Sequence, residues 1–589
     1  MRKLMTLLLA FLLALPAIGT AATNEDLQKM IDDLQEQIYD LQDQADAAEF
    51  HSSTDRLQIT GDFRNRVHSL HYQDTLWNPG LAVNLDNFFF DAANQNLGPF
   101  NPANLPGAPT SDIERAFAAI ATDYPDVYND ILTKFGAWSG GTPAGIGFMP
   151  IAHPKNVAKD IDNDVDFNTR LRLNMMAKVA SNVSFAGRLA MYKSWGDSAG
   201  TQVLDSWNAF TMDGTNGGNT IGNLVQVERA FFNWKNIGGS NFWFSVGRRP
   251  SSYGSPSNYR ENEMRGGSPS GHLVHFNFDG FTLGYAPDNG PEGMKIRFCY
   301  GQGYESQNGN GELFNNISTD DTNLGGFAID AYDDGKTLVQ VMAFGAFDVT
   351  DGFKGTFAFP SEFAAIFAPT MWQDMQNFDN MNFVTRYMPS TNIGDILLGS
   401  IGFSREEKSG LSYFGSVGWT QLRPNGKGGM FGGMASDTIF EAQGLDLDYN
   451  GTNETFKIVP TGTTLDDSNQ DGYGVYVGVQ IPTTTNGKLG LEYNYGSEYW
   501  TPFTQAQDDP IGSKLATRGS VYEGYYIHNI NPNTFVKFAG LFYDYEYTGS
   551  GSPVGKPQKV DDVLAGTAYS MLPVVDTAWD ANITFTIRF

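Results

Sequence analysis

A single cysteine, Cys299, in 589 residues allows no internal disulfide. No C-x-x-C-H is present, so the chain carries no attachment site for c-type haem. Histidine is scarce too, with 7 in all, and no two stand four residues apart. The pairs spaced by three, His68 with His71 and His272 with His275, would point to opposite faces of a strand and make no metal clamp. There is no G-x-S-x-G, no Walker pattern, and no dinucleotide glycine pattern between a strand and a helix, so no enzymatic activity and no cofactor are expected. Basic residues are few: 38 Lys and Arg stand against 66 Asp and Glu, a net charge of −28. That balance argues against nucleic acid or an anionic membrane surface as partner. No apolar run of 18 residues occurs past the N-terminus, and mean hydropathy is −0.31, which excludes helical membrane spans.

What is present is glycine, tyrosine and alternation. An apolar content of 41% with 66 Gly and 26 Tyr suits many short strands joined by tight turns. The charge is unevenly spread, with a net −7 over residues 1–55, −1 over 56–270 and −20 over 271–589. Arg2 and Lys3 precede an apolar run from Leu4 to Ile18 and the small residues Gly19 to Ala22, so residues 1–22 read as a cleaved signal peptide. Residues 23–50 follow a heptad: Leu27, Ile31, Leu34, Ile38, Leu41, Ala45 and Ala48 are spaced alternately by four and three, with uncharged flanks. So short a coiled coil is marginal alone and is expected to associate with copies of itself.

Alternation begins in RLQITGDFRNRVH, residues 56–68, and resumes at 164–178 and 183–193. Between them, 112–135 reads as a helix. The last stretch is the clearest. In Trp579–Phe589, Ala581, Ile583, Phe585, Ile587 and Phe589 fall on one face, and Asp580, Asn582, Thr584, Thr586 and Arg588 on the other. Eleven tilted residues cross roughly 25 Å of hydrocarbon. A closing strand of this pattern that ends on Phe resembles the insertion signal of Gram-negative outer-membrane β-barrels of the porin-like family, with Phe585 and Phe589 as the signal residues.

The resemblance implies an all-β, transmembrane, antiparallel up-and-down barrel over 56–589 in the outer membrane, with the coiled coil in the periplasm. Outer-membrane lipid, the barrel-assembly machinery and sister subunits are the implied partners, a trimer favoured and a dimer possible. Such barrels alternate short turns with long external loops. Reading back from Phe589 and forward from residue 56 gives long gaps at 69–163, 194–223, 249–271, 302–324, 349–393, 421–472, 498–517 and 547–577. Parity holds if His272 to Pro287 is one bulged strand and 381–388 belongs to a loop, which yields 16 strands. Eighteen results if a turn at Asp279-Gly280 and a strand at 381–388 are both real. The implied function is an outer-membrane channel for passive diffusion of small hydrophilic solutes and ions. The alternatives are a sleeve around a separate multihaem cytochrome, or an adhesin or envelope tether.

Three constellations could serve that function. Arg64, Arg66, Arg170, Arg172, Arg188, Lys295 and Arg297 share the polar strand faces and would line a basic pore wall, unless acids such as Asp62 and Asp166 pair with them. Segment 247–267 leaves the fifth strand, where the resemblance implies an inward-folding constriction loop. There Arg248, Arg249, Arg260 and Arg265 would face Glu261 and Glu263 across an eyelet. Finally, Asp446, Asp448 and Asn450, and again Asp467, Asn469 and Asp471, each precede a Gly as calcium-loop ligands do, although neither run has the twelfth-position Glu.

Overall fold

The computed structural model describes residues 57–76, 158–197, 203–204, 212–213, 224–267, 270–306, 319–352, 389–429, 432–437, 465–484, 486–504, 509–568, 570 and 572–589, together with the backbone of a few short strands elsewhere. The chain divides into Met1–Gln58 and Ile59–Phe589. The expected signal peptide, coiled coil and 112–135 helix lie outside the described residues, and the described elements belong to the second unit apart from the first two residues of its opening strand.

That unit is a closed barrel of sixteen antiparallel strands, each bonded to its neighbours in sequence and the last to the first. The strands are β1 Leu57–Thr75, β2 Lys159–Lys178, β3 Val183–Ser194, β4 Gln226–Trp234, β5 Phe242–Arg248, β6 Asp279–Tyr285, β7 Lys295–Tyr304, β8 Thr322–Asp333, β9 Thr337–Asp351, β10 Asn392–Glu406, β11 Ser412–Pro424, β12 Gln470–Pro482, β13 Gly487–Gly496, β14 Gly519–Asn531, β15 Thr534–Tyr545 and β16 Thr577–Arg588. At the seam β16 pairs with β1 from Asp62↔Arg588 to Gln73↔Thr577. The Gly61 N–H donates to the Phe589 carbonyl at 2.7 Å, and the Phe589 N–H donates to that of Gly61 at 3.0 Å.

Connections at one end are short: 179–182, 235–241, 286–294, 334–336, 407–411, 483–486 and 532–533. The 334–336 turn shows why: Asp334 accepts the N–H groups of Lys336 at 2.8 Å and Thr337 at 2.5 Å, and Gly335 takes φ +82. All the long connections lie at the other end. One of them carries the hairpin Phe353–Ala358 with Phe383–Tyr387, so the 381–388 segment stands outside the wall.

Polarity runs opposite to that of a water-soluble protein. On β16, Ile583 and Phe585 are 50% and 38% exposed, whereas Asp580, Asn582, Thr584 and Thr586 are buried. Val341 and Phe347 on β9, Ile401 and Phe403 on β10, and Val477 on β12 also point outward and exposed. The interior has two characters. Leu324, Met342, Phe344, Ile396 and Leu398 line an apolar side. Asp62, Arg64, Arg66, Arg170 and Arg172, with Glu492, Glu523 and Lys537, line a charged one.

The structure corrects the expected strand over His272–Pro287. Only Asp279–Tyr285 joins the wall, and 270–278 lies inside the barrel, with Leu273, Val274, His275 and Phe276 all buried. A segment buried on every side mimics a strand, because alternation reports two faces and not what covers each. The strands also outrun their expected ends, β1 to Thr75 and β2 back to Lys159. In the β1 extension the apolar residues change face, since Leu70 and Tyr72 are buried on the inward side while Phe63 and Val67 point outward. The β2 extension offers only Ile161, so the alternation read from the other residues does not continue.

The seam has one tight point. A Cβ on Gly61 would sit 2.6 Å from the Phe589 ring and 2.8 Å from the Arg172 carbonyl oxygen, and the latter, being backbone, cannot swing aside. Gly61→Ala is therefore expected to destabilise the folded barrel by about 1–3 kcal/mol, read as a lower urea midpoint for its heat-modifiable mobility. A midpoint equal to that of the wild type would refute this close approach.

Candidate functional site inside the barrel

Segment 249–278, between β5 and β6, folds into the barrel. Its two arms are zipped together: Ser252 Oγ donates to Asn277 Oδ1 at 3.0 Å, the Phe276 N–H to the Ser251 carbonyl at 3.3 Å, and the Gly271 N–H to that of Ser255 at 2.9 Å. The Gly266 N–H reaches the Tyr253 carbonyl at 2.8 Å and closes the base of the tip. The returning arm packs Leu273, Val274, Phe276 and Phe278 into the apolar side, and its backbone bonds to that of Phe503. His272 joins Ser416 on β11 at 3.2 Å beside the Trp500 ring. Burial and nearby Lys514 pull the His272 pKa down to about 3, so the ring is neutral at physiological pH.

The tip, 259–265, is held by charge. Arg260 forms a fork to Asp509 at 2.9 and 3.0 Å and reaches Glu523 on β14 at 2.8 Å. Glu261 lies 3.8 Å from Arg64 on β1 and 3.7 Å from Arg170 on β2. Glu263 pairs with Arg170 at 3.2 Å and with Arg172. Arg265 pairs with Asp333 on β8 at 2.8 Å. Arg588 on β16 donates to the Asn262 carbonyl at 2.6 Å, and Lys537 on β15 to that of Arg260 at 3.0 Å. Two of these partners, Asp333 and Arg588, stand next to the short turns, so the tip reaches that mouth. Burial alone would raise the Glu261 carboxyl, but Lys537, Arg66, Arg260 and Arg170 outweigh it and hold it well below the usual range. Arg172 and Arg170 do the same for Glu263.

The expected eyelet field therefore takes a different form. Arg260 and Arg265 turn to wall and loop acids, Arg248 pairs with Asp279 at 2.6 Å, and Arg249 binds Ser245 and covers the Phe231 ring at 5.0 Å. Burial pushes Arg249 down to about 10. Glu261 and Glu263 instead meet the wall arginines. The reason is desolvation: two ions inside a barrel need direct partners, and charges that face each other across open water do not supply them.

The arginines expected along a watery wall do face inward, but they are engaged. Arg170 and Arg172 hold Asp62 at 3.1 and 2.7 Å, Arg188 holds Glu228 at 3.5 Å, Arg297 holds Asp330 at 2.5 Å, and Arg66 donates to Thr584 at 2.9 Å. Lys295 lies 3.9 Å from Asp333 and is partly exposed. Of the calcium candidates, Asp446, Asp448 and Asn450 lie outside the described residues. Asp467 and Asn469 are exposed, and Asp471 accepts from Trp419 at 2.9 Å and Gln421 at 3.1 Å. Among the described residues no three acidic, His or Cys side chains gather as a metal site would need.

One cluster escaped the sequence reading. Glu492 on β13 stands directly opposite Glu523 on β14, an arrangement that is destabilising unless a cation intervenes. Lys514, from the 497–518 connection, lies between them at 2.5 and 2.7 Å, and Lys537 adds a contact to Glu523 at 3.1 Å. Glu492, Glu523 and Lys537 occupy polar-face positions that alternation could have flagged; nothing local marks Lys514. Lys514→Met is expected to cost about 3–5 kcal/mol by leaving two buried carboxylates face to face, and adding Glu492→Gln should recover part of it. Urea titration of the folded fraction would test this, and a single variant as stable as wild type would overturn it.

Three solved structures are similar in fold, all at low identity. OmpF from Salmonella typhi in complex with daunomycin is 10% identical, with 90% of this chain and 97% of that chain covered and a TM-score of 0.35. OprB from Pseudomonas putida at high pH is 9% identical, with 92% and 96% covered and a TM-score of 0.37. OmpT, an outer membrane protein of Vibrio cholerae, is 9% identical, with 90% and 99% covered and a TM-score of 0.36. No curated protein sequence matches the chain significantly. A family model described as a protein of unknown function, DUF3373, matches residues 160–589, and the chain belongs to that family.

Proposed function

We propose that the protein is an outer-membrane channel for passive diffusion of small hydrophilic solutes and ions, narrowed by its own segment 249–278. The observation that carries this reading is the inverted polarity of a closed wall: apolar side chains are exposed outside and charged ones are buried inside. In hydrocarbon a spanning sheet must satisfy every backbone group within itself, which only closure achieves. The short turns then face the periplasm and the long connections the exterior. Phe589 serves the barrel-assembly machinery as insertion signal, residues 1–22 direct export, and the coiled coil over 23–50 joins copies, three being the favoured number. A sleeve around a separate cytochrome is disfavoured, because segments 249–278 and 497–518 fill interior volume that such a guest would need.

A lumen so filled implies a narrow path. Purified protein in planar bilayers is expected to give small, stepwise currents. Replacing 255–265 by a short Gly-Ser linker, across the Tyr253–Gly266 hydrogen bond that closes the tip, should raise the step size several-fold. If folded wild-type protein and the linker variant both give no steps, the channel reading fails.

A further inference from the structure

The wall arginines and the loop acids do not fit each other fully. Glu261 meets Arg64 and Arg170 only at 3.8 and 3.7 Å, beyond hydrogen-bond reach, and its Oε1 is buried with no hydrogen-bond partner. Arg172 Nη1 is likewise buried without one. Well-matched guanidinium–oxyanion pairs form forks at roughly 2.7–2.9 Å, as Arg260 does with Asp509. Arg64, Arg66, Arg170 and Arg172 gather here, and withdrawal of the two loop acids would remove two negative charges from among them.

The tip is also the part of the segment that can leave. Its returning arm is locked by Leu273, Val274, Phe276 and Phe278 in the apolar cluster. The tip contributes no residue to that cluster, and Met264, at its end, is 91% exposed. Glu263 beside it keeps 14% of its side chain open to solvent. Water therefore reaches the edge of the arginine cluster; beyond Tyr259, whose ring stacks on Phe414 at 4.4 Å at the base of the tip, the attachments there are ion pairs and hydrogen bonds.

We propose that Arg64, Arg170 and Arg172 form an oxyanion site in which Glu261 and Glu263 are resident stand-ins, displaced by a solute that carries two or more clustered negative charges. The inference rests on the channel reading and names the class of solute that passes: a polycarboxylate or a phosphorylated compound. Tethered carboxylates compete at an effective concentration in roughly the millimolar range. Chloride, with one charge and no fork geometry, does not displace them; a multivalent oxyanion forms several charge-assisted hydrogen bonds at once and does. Occupancy shifts the tip away from the wall and widens the path.

The experiment is single-channel recording of the full-length protein in chloride at constant ionic strength, with citrate or pyrophosphate added at millimolar concentration to each side in turn. Step size is expected to rise several-fold with citrate, pyrophosphate or both; a response to one alone assigns the site to carboxylates or to phosphoryl groups. Glu261→Gln/Glu263→Gln should conduct at the raised level without either anion, with a reversal potential shifted toward anion selectivity. Arg170→Gln/Arg172→Gln should lose the response, and its heat-modifiable mobility reports whether it has folded. If that variant does not fold, the Glu variant decides. Steps in chloride that neither anion enlarges, together with an unchanged reversal potential in the Glu variant, would refute the oxyanion site and leave the channel standing. Absence of any steps would remove the channel itself.

Discussion

Everything in this barrel depends on the closure of β16 onto β1. Twelve residue pairs run along that seam, and the Gly61 and Phe589 backbones exchange hydrogen bonds at its end. Without it, two strand edges would present unpaired N–H and C=O groups, which water can satisfy and hydrocarbon cannot. Closure also divides space into an outside and an inside, and so gives the two faces of each strand different solvents. The exposed Phe585 and the buried Thr584 are consequences of that one topological fact.

Closure creates a second demand. A sixteen-stranded wall encloses more volume than its own side chains fill, and here part of that volume is taken by connections of the same chain. Charges drawn inside lose their hydration and must be paired at short range. Arg260, Glu261, Glu263 and Arg265 find partners on the wall and on a neighbouring loop, and Arg588 holds the Asn262 carbonyl, so a single segment ties together β1, β2, β8, β14 and β16. The apolar arm of the same segment is held without any such matching, because burial of Leu273 or Phe276 asks only for volume and not for direction. A segment anchored by shape at one end and by charge at the other responds to ions at the charged end alone.

Much of this was legible in advance. The strand number followed from alternation combined with the parity of short and long gaps, and β16 was legible residue by residue. That segment 247–267 folds inward was an implication of resemblance, and its arginines and acids were visible as candidates. Their partners were not. Glu261 and Arg170 are ninety-one positions apart, and Arg260 and Asp509 are separated by 249. No local pattern encodes pairings of that range. Segment 270–278 failed for a different reason, since a chain buried within a lumen shows the same apolar content as a wall strand.

The sequence by itself determined the two-faced wall, because each strand's solvent preference is written in side chains two apart and needs no knowledge of its neighbours. It determined where turns are short, because Asp, Asn and Gly at those sites satisfy their own backbone. Only the tertiary structure decided what the interior is. Whether an inward arginine meets water, a wall acid or a carboxylate from a loop depends on which distant residue the fold delivers to it. For Arg170 and Arg172 that residue is Glu263, carried in on a segment whose path only the closed barrel defines.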